Sequence, residues 1–190
     1  MINTSEIVQD GYRISVSFPE INLQFNHFLI NDEEPLLFYA GLKQMFPVLM
    51  EAVSKIFPPS QLRWIGFSHF EVDECGALND WLQVTPNAKT FCSEAGAIVN
   101  ITDFALRPVH AMQDGNVLKK GQYSYRFIRT PHLPHVWDTG VMYEEKNIAL
   151  LWPDLFHQIG DGINLTDKGN LETHKNSILE YEKTSLFNNL

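Results

Sequence analysis

Residues 68–75 read Ser68-His69-Phe70-Glu71-Val72-Asp73-Glu74-Cys75, between a short buried strand expected at 63–67 and a helix-like segment opening at Gly76. No other stretch restricts the folding of the chain as much. It sets an imidazole and two carboxylates at i, i+2 and i+4, with a third carboxylate directly after. Extended backbone sends alternate side chains the same way, so His69, Glu71 and Asp73 can converge on one spot. A strand that passes into a helix through such a run is the usual location of a site in an α/β fold. One nitrogen and two hard oxygens suit iron or manganese better than a soft-ligand zinc site. Taken alone, the same residues also read as a polar loop after a strand, because short patterns recur by chance.

The surrounding pattern fits that frame. Residues 6–9, 12–18, 25–30 and 36–38 predict short strands, with Asp10-Gly11 as a two-residue hairpin signal. Over 42–57, Met45, Phe46, Leu49, Met50, Val53 and Phe57 form a helical stripe, with Pro47 near its start and Pro58-Pro59 ending it. After the ligand-rich run come a helix over 76–82, a strand at 90–92, a short helix at 93–99 and a strand at 105–110. Strands follow at 117–119 and 123–129 about a Lys120-Gly121 turn, then at 141–144 and 148–152 around Lys146-Asn147. The segment 170–187 is charged and helical in pattern, with a thin apolar stripe at Leu171, Ile178 and Leu179. Strand-rich halves with helices outside predict a sandwich of two mixed sheets flanked by helices.

A chain of 190 residues has the length of a single domain, 1–190. The net charge of -9 argues against a nucleic-acid-binding surface and against docking on anionic membranes. No apolar run approaches the roughly 20 residues needed to span a bilayer, and the first residues lack a basic segment followed by an apolar one. Cys75 and Cys92 are the two cysteines, too few for a disulfide framework. The expectation is a cytoplasmic protein with reduced thiols.

Two further segments carry chemistry. Thr130-Pro131-His132-Leu133-Pro134-His135-Val136-Trp137-Asp138 sets two histidines among prolines directly after a strand. A stiff loop suits metal ligands because less conformational entropy is lost on binding. Spacing leaves His132 and His135 both open. In Leu150-Leu151-Trp152-Pro153-Asp154-Leu155-Phe156-His157, an apolar strand ends in a lone carboxylate. A charge in that setting is costly unless paired or bound to a cation.

Taken together, His69-x-Glu71-x-Asp73, a histidine just before Trp137-Asp138 and a strand-terminal Asp154 follow the order and rough spacing of the flavodiiron proteins. The chain resembles that family from about Gln24 to His157. Phe25-Asn26-His27-Phe28-Leu29-Ile30, Asp32-Glu33-Glu34-Pro35-Leu36-Leu37 and Pro131–Asp138 look closer still to the stand-alone oxygen-binding diiron proteins, flavin-free relatives associated with bacterial oxygen sensing. The resemblance implies a metallo-β-lactamase-like αββα sandwich holding two irons. It implies that His69, Glu71 and His135 bind the first iron, Asp73 the second, and Asp154 bridges both. Asp138 is then an outer residue that orients a ligand or the loop. His27, His110, His157 and His174 match no ligand position. The implied partners are dioxygen, an external electron donor or signalling protein, and a second copy of the chain in a homodimer. These residues hold no flavin-binding domain or rubredoxin-like cysteine cluster, so electrons would come from outside, which favours sensing or slow reduction.

Two departures qualify the resemblance. Hydrolytic members of the fold carry His-x-His-x-Asp-His, whereas here Glu71 takes the place of the middle histidine and Glu74 of the last. Both changes count against the alternative reading, a metal-dependent hydrolase, and Glu74 reads instead as a helix-start carboxylate. The family also expects one more histidine downstream to complete the second iron site. The chain ends at Leu190 without it, and His174 is a poor substitute. A fragment lacking its C-terminal strand–helix portion is the expectation, with an incomplete second site.

Overall fold

The computed structural model describes residues 1–133, 135–151 and 175–176. Strands β1 (Ile2–Val8), β2 (Gly11–Phe18), β3 (Leu23–Ile30) and β4 (Leu36–Phe38) pair antiparallel in succession. Strands β5 (Trp64–Gly66), β6 (Lys89–Ser93) and β7 (Val109–Met112) extend the same sheet in parallel, giving the order β1-β2-β3-β4-β5-β6-β7. The switch at β4 has a simple cause. Short turns join the first strands as hairpins, whereas a parallel neighbour requires a long crossover, supplied here by helix α1 (Phe46–Ser54). Strands β8 (Val117–Lys120), β9 (Tyr123–Arg129), β10 (Gly140–Glu144) and β11 (Ala149–Leu151) form a second sheet in the order β11-β10-β9-β8, antiparallel rather than mixed among the described residues.

Burial follows these positions. Every residue of β4 and β5 is buried, as central strands covered on both faces require. On β9, Tyr123, Tyr125 and Phe127 are buried while Arg126 is exposed, the alternation of a sheet with one wet face. Phe38, Trp64 and Phe91 meet in the core at ring separations of 6.1 and 6.2 Å. Gly66, the last residue of β5, allows this packing, because a Cβ there would stand 2.1 Å from the Phe91 ring.

Several expected boundaries move, each for a physical reason. The first strand begins at Ile2 rather than at residue 6; it is an edge strand with mostly exposed side chains, so it carries little apolar pattern. The hairpin turn is Gln9-Asp10, since Val8 pairs with Gly11 and Asp10 takes φ 58°, a conformation aspartate tolerates. The helix expected over 42–57 is a 3-10 turn at Lys43–Met45 followed by α1, because Pro47 lacks an N–H and belongs in a first turn. Phe57 lies beyond the helix yet remains buried. The strand expected at 105–110 starts only at Val109, after Pro108; the Arg107 guanidinium is spent on the carbonyls of Leu82, Thr85 and Pro86. The short helix near residue 94 runs on through an α-turn (Glu94–Gly96), a π-helical turn (Ala97–Ile101) and a second α-turn (Thr102–Phe104). Of the segment expected to be helical over 170–187, Lys175 and Asn176 are described and are helical, and the rest lies outside the described residues.

His27 on β3 is buried in this core. Its ring lies with Nδ1 3.0 Å from the Tyr39 carbonyl, which accepts from it, while Nε2 is buried without a hydrogen-bond partner among the described residues. Burial pushes its pKa down from an ordinary value of 6.5 to about 4. Between those values the unfolded chain binds a proton that the folded chain refuses, so stability falls as pH drops from 6.5 towards 4 and levels off below. Denaturant unfolding at pH 7 and pH 5 should show the wild type losing about 2 kcal/mol more than a His27→Leu variant over that interval. Equal losses in the two proteins would refute the assignment.

Candidate metal centre

Past the end of β5, Phe67 and Ser68 carry the chain to His69. Glu71 keeps extended backbone (φ −140°, ψ 149°) and immediately precedes the short helix α2 (Val72–Cys75). The ligand-rich run is therefore extended only as far as Glu71, and a helical turn begins at Val72 instead of at Gly76. Asp73 and Glu74 in that first turn favour the early start, since carboxylates are stabilised by a helix N-terminus. Helix α3 (Leu78–Val84) follows. His69 and Glu71 do converge, with Nε2 2.9 Å from Oε2.

His135 reaches the same point from the other sheet, in the loop between β9 and β10. Its ring lies 4.9 Å from that of His69 at an interplanar angle of 74°, and its Nε2 is 3.5 Å from Glu71 Oε2. One donor atom from each of His69, Glu71 and His135 falls within 4.8 Å of the others. Two donors bonded to one ion at about 2.1 Å stand roughly 3–4 Å apart, so the group is close to a single-ion arrangement. Two imidazoles and one carboxylate are the donor set of non-haem ferrous sites that keep open positions. The side chain of His69 is fully buried, while those of Glu71 and His135 are 43% and 36% exposed, which leaves an approach from their side.

Between the two histidines that spacing leaves open, the structure brings His135 into the group. His132 is exposed at φ 63°, and its backbone N–H donates to the Val136 carbonyl at 2.8 Å. The Thr139 hydroxyl contacts the carbonyls of His135 and Val136, bracing the turn that carries His135. Asp73 is half-buried on α2 and outside the three-residue group. Asp154 lies outside the described residues, as do His157 and His174. His110 is exposed and meets Trp64 edge-on at 6.1 Å.

Asp138 ties the two ligand segments together. Its Oδ2 accepts from the Phe70 N–H at 3.1 Å, and beside it Gly140 N–H donates to the Ser68 carbonyl at 3.1 Å. Asp138 is buried, and its Oδ1 has no hydrogen-bond partner among the described residues.

Sequence reasoning misses the residues behind His69. Glu74 is buried, and its carboxylate folds back along the run rather than serving only the helix start. Oε2 accepts from the N–H groups of Ser68 and His69, both at 3.0 Å, and the Ser68 hydroxyl lies 2.7 Å from each carboxylate oxygen. That hydroxyl is also 2.8 Å from His69 Nδ1. The available signal is a serine and a glutamate flanking the ligands, with the chain direction between them unknown. Cys75, beside this group, is not a thiolate at neutral pH: burial first, then the Glu74 carboxylate, push its pKa up to about 12.

A family model described as ODP family beta lactamase matches residues 23–189. The chain belongs to this family. Among curated relatives, a diflavin flavoprotein A 1 of Nostoc sp. is 29% identical over 151 residues, covering 77% of this chain and 26% of its own. The flavo-diiron protein FprA2 of Clostridium acetobutylicum is 26% identical over 133 residues, covering 68% of this chain and 33% of its own. Among solved structures, rubredoxin oxygen:oxidoreductase from Desulfovibrio gigas superposes with a TM-score of 0.78 at 21% identity, covering 94% of this chain and 48% of that one. That likeness is one of fold, a metallo-β-lactamase-like pair of sheets. This chain thus spans a third or less of those two curated relatives and about half of the solved structure.

Within the ODP-family fold, the helical stretch after β6 packs behind the second ligand loop. A Cβ on Gly96 would stand 2.6 Å from Asp138 Oδ2 and 3.0 Å from Ser93 Oγ. Gly96→Ala must displace Asp138 and weaken its bond to Phe70. The variant should lose about 1–3 kcal/mol of stability and bind metal less tightly than wild type. Thermal melts and metal titration check both; a variant unchanged in the two would show that Asp138 does not hold the loops.

Proposed function

We propose that this chain holds non-haem iron and binds or reduces dioxygen, in a sensing or signalling role. The convergence of His69, Glu71 and His135 from two different sheets carries the reading. Those three residues would hold one iron, and Asp73 would serve a second, with Asp154 shared between them. An iron pair bound there supplies electrons and open positions at which dioxygen can bind. The relatives named flavo-diiron protein and oxygen:oxidoreductase support the same assignment.

The chain's own residues do the positioning. His69 is buried and held from behind, so it fixes the inner side of the site. Glu71 and His135 are partly exposed and leave the approach for a small molecule. Phe70 and Trp137, close in sequence to Glu71 and His135, are exposed apolar side chains. Electrons would come from an external donor or pass to a signalling partner, and a homodimer and a cytoplasmic location belong to the same proposal. Glu71, a carboxylate where hydrolases of this fold carry a histidine, weighs against hydrolysis.

Anaerobic loading with ferrous iron, followed by metal analysis, tests this directly. The wild type should retain iron, and its absorption should change when oxygen is admitted. Asp73→Ala should keep the first ion and hold none at a second position. His69→Ala and His135→Ala should weaken the first site by more than the roughly 10–100-fold typical of outer partners. Zinc as the sole bound metal, with no oxygen response after iron loading, would sink the proposal.

A further inference from the structure

We infer that Glu74, acting through the Ser68 hydroxyl, is the positioning residue that presents the Nε2 of His69 to the metal. The inference rests on the metal site proposed for His69, Glu71 and His135, and concerns a residue that binds no metal there. A serine hydroxyl has one proton and two lone pairs. With both oxygens of the Glu74 carboxylate 2.7 Å away, the Ser68 hydroxyl donates to Glu74. Its lone pairs then face His69 Nδ1 at 2.8 Å, so the imidazole must donate from Nδ1. Glu74 Oε1, 3.3 Å from the same nitrogen, offers a second acceptor. A neutral ring with its proton on Nδ1 keeps its lone pair on Nε2 for an ion; Nε2 and Glu71 Oε2, 2.9 Å apart, are then two donor atoms that such an ion would bridge in place of a proton.

The arrangement also holds the ring in place. Glu74 Oε2 accepts from the N–H groups of Ser68 and His69, so the backbone at the ligand is fixed by the carboxylate that selects the tautomer. Histidine ligands commonly donate their other N–H to such a partner, which orients the ring and raises its basicity as a ligand. Here the partner comes from five residues downstream, because α2 turns the chain back on itself. The glutamate therefore does not stand in for a metal ligand; it serves the ligand that is present.

Two measurements test this. In zinc-loaded wild type labelled with nitrogen-15 at histidine, long-range proton–nitrogen correlation should show His69 protonated at Nδ1 and metal-bound at Nε2. The opposite tautomer, or metal on Nδ1, overturns the inference without any variant. Competition against a chromophoric chelator under anaerobic conditions should show Glu74→Gln binding ferrous iron about 10–100-fold more weakly, and Ser68→Ala should fall between it and the wild type. The visible bands of the cobalt-loaded protein should shift in Glu74→Gln. A variant that melts earlier but binds iron like the wild type, with unchanged cobalt bands, shows a purely structural role and overturns the inference alone. Failure of the wild type to bind any metal removes the proposed metal site, and this inference with it. Should Glu74→Gln not fold, the wild-type tautomer alone supports or overturns the inference.

Discussion

The site depends on holding the end of one sheet against a loop of the other. Phe70 and Asp138 are 68 residues apart in sequence and joined by one hydrogen bond, with a second between Gly140 and Ser68 beside it. Closing a loop of that length costs about 4 kcal/mol in chain entropy, and two hydrogen bonds return only about 1 kcal/mol each. The closure must be driven by the apolar core, where residues of both sheets such as Phe38, Phe91, Tyr125, Phe127 and Met142 are fully or almost fully buried. The hydrogen bonds decide register within the closed state. They bring His135 against His69 rather than one residue to either side.

Two buried carboxylates show how differently such groups can be accommodated. Glu74 accepts two backbone N–H groups and is flanked by a hydroxyl, so its burial is matched by partners. Asp138 accepts from the Phe70 N–H through Oδ2, while its Oδ1 is without a partner among the described residues. Burial of an incompletely bonded polar group is costly. That cost is tolerated at a point where the carboxylate joins the segments that carry His69 and His135, and Gly96 leaves it the space.

Strands with alternating or continuous apolar residues are legible from the sequence, and the expected bounds of β9 and β4 coincide with the observed ones. The edge strand β1 is longer than its apolar pattern indicates, because its exposed side chains do not report its pairing. His69, Glu71 and His135 are legible as chemistry, and the first two also as geometry. What periodicity does not give is the point where extended backbone becomes helical. Placing that change at Gly76 instead of Val72 makes Asp73 a third convergent side chain, whereas the helical turn puts it on α2. Ser68 is unreadable for a related reason: its role depends on Glu74 returning to it, which is a property of the turn and not of the spacing.

That same turn assigns opposite roles to two glutamates three positions apart. Glu71, on extended backbone, meets His69 at Nε2 and is 43% exposed. Glu74, one helical turn later, points back into the protein and is 5% exposed. Residue type alone makes them equivalent hard ligands, and each occupies a position where hydrolytic members of the fold carry histidine. Backbone conformation puts one carboxylate at the partly exposed Nε2 side of the imidazole and the other at its buried Nδ1 side. His69 is thereby held between two carboxylates, with Glu71 at Nε2 and Glu74 near Nδ1. An ion taking the Nε2 lone pair leaves the hydrogen bonds behind the ring intact, so the inner half of the site is built before anything binds to it.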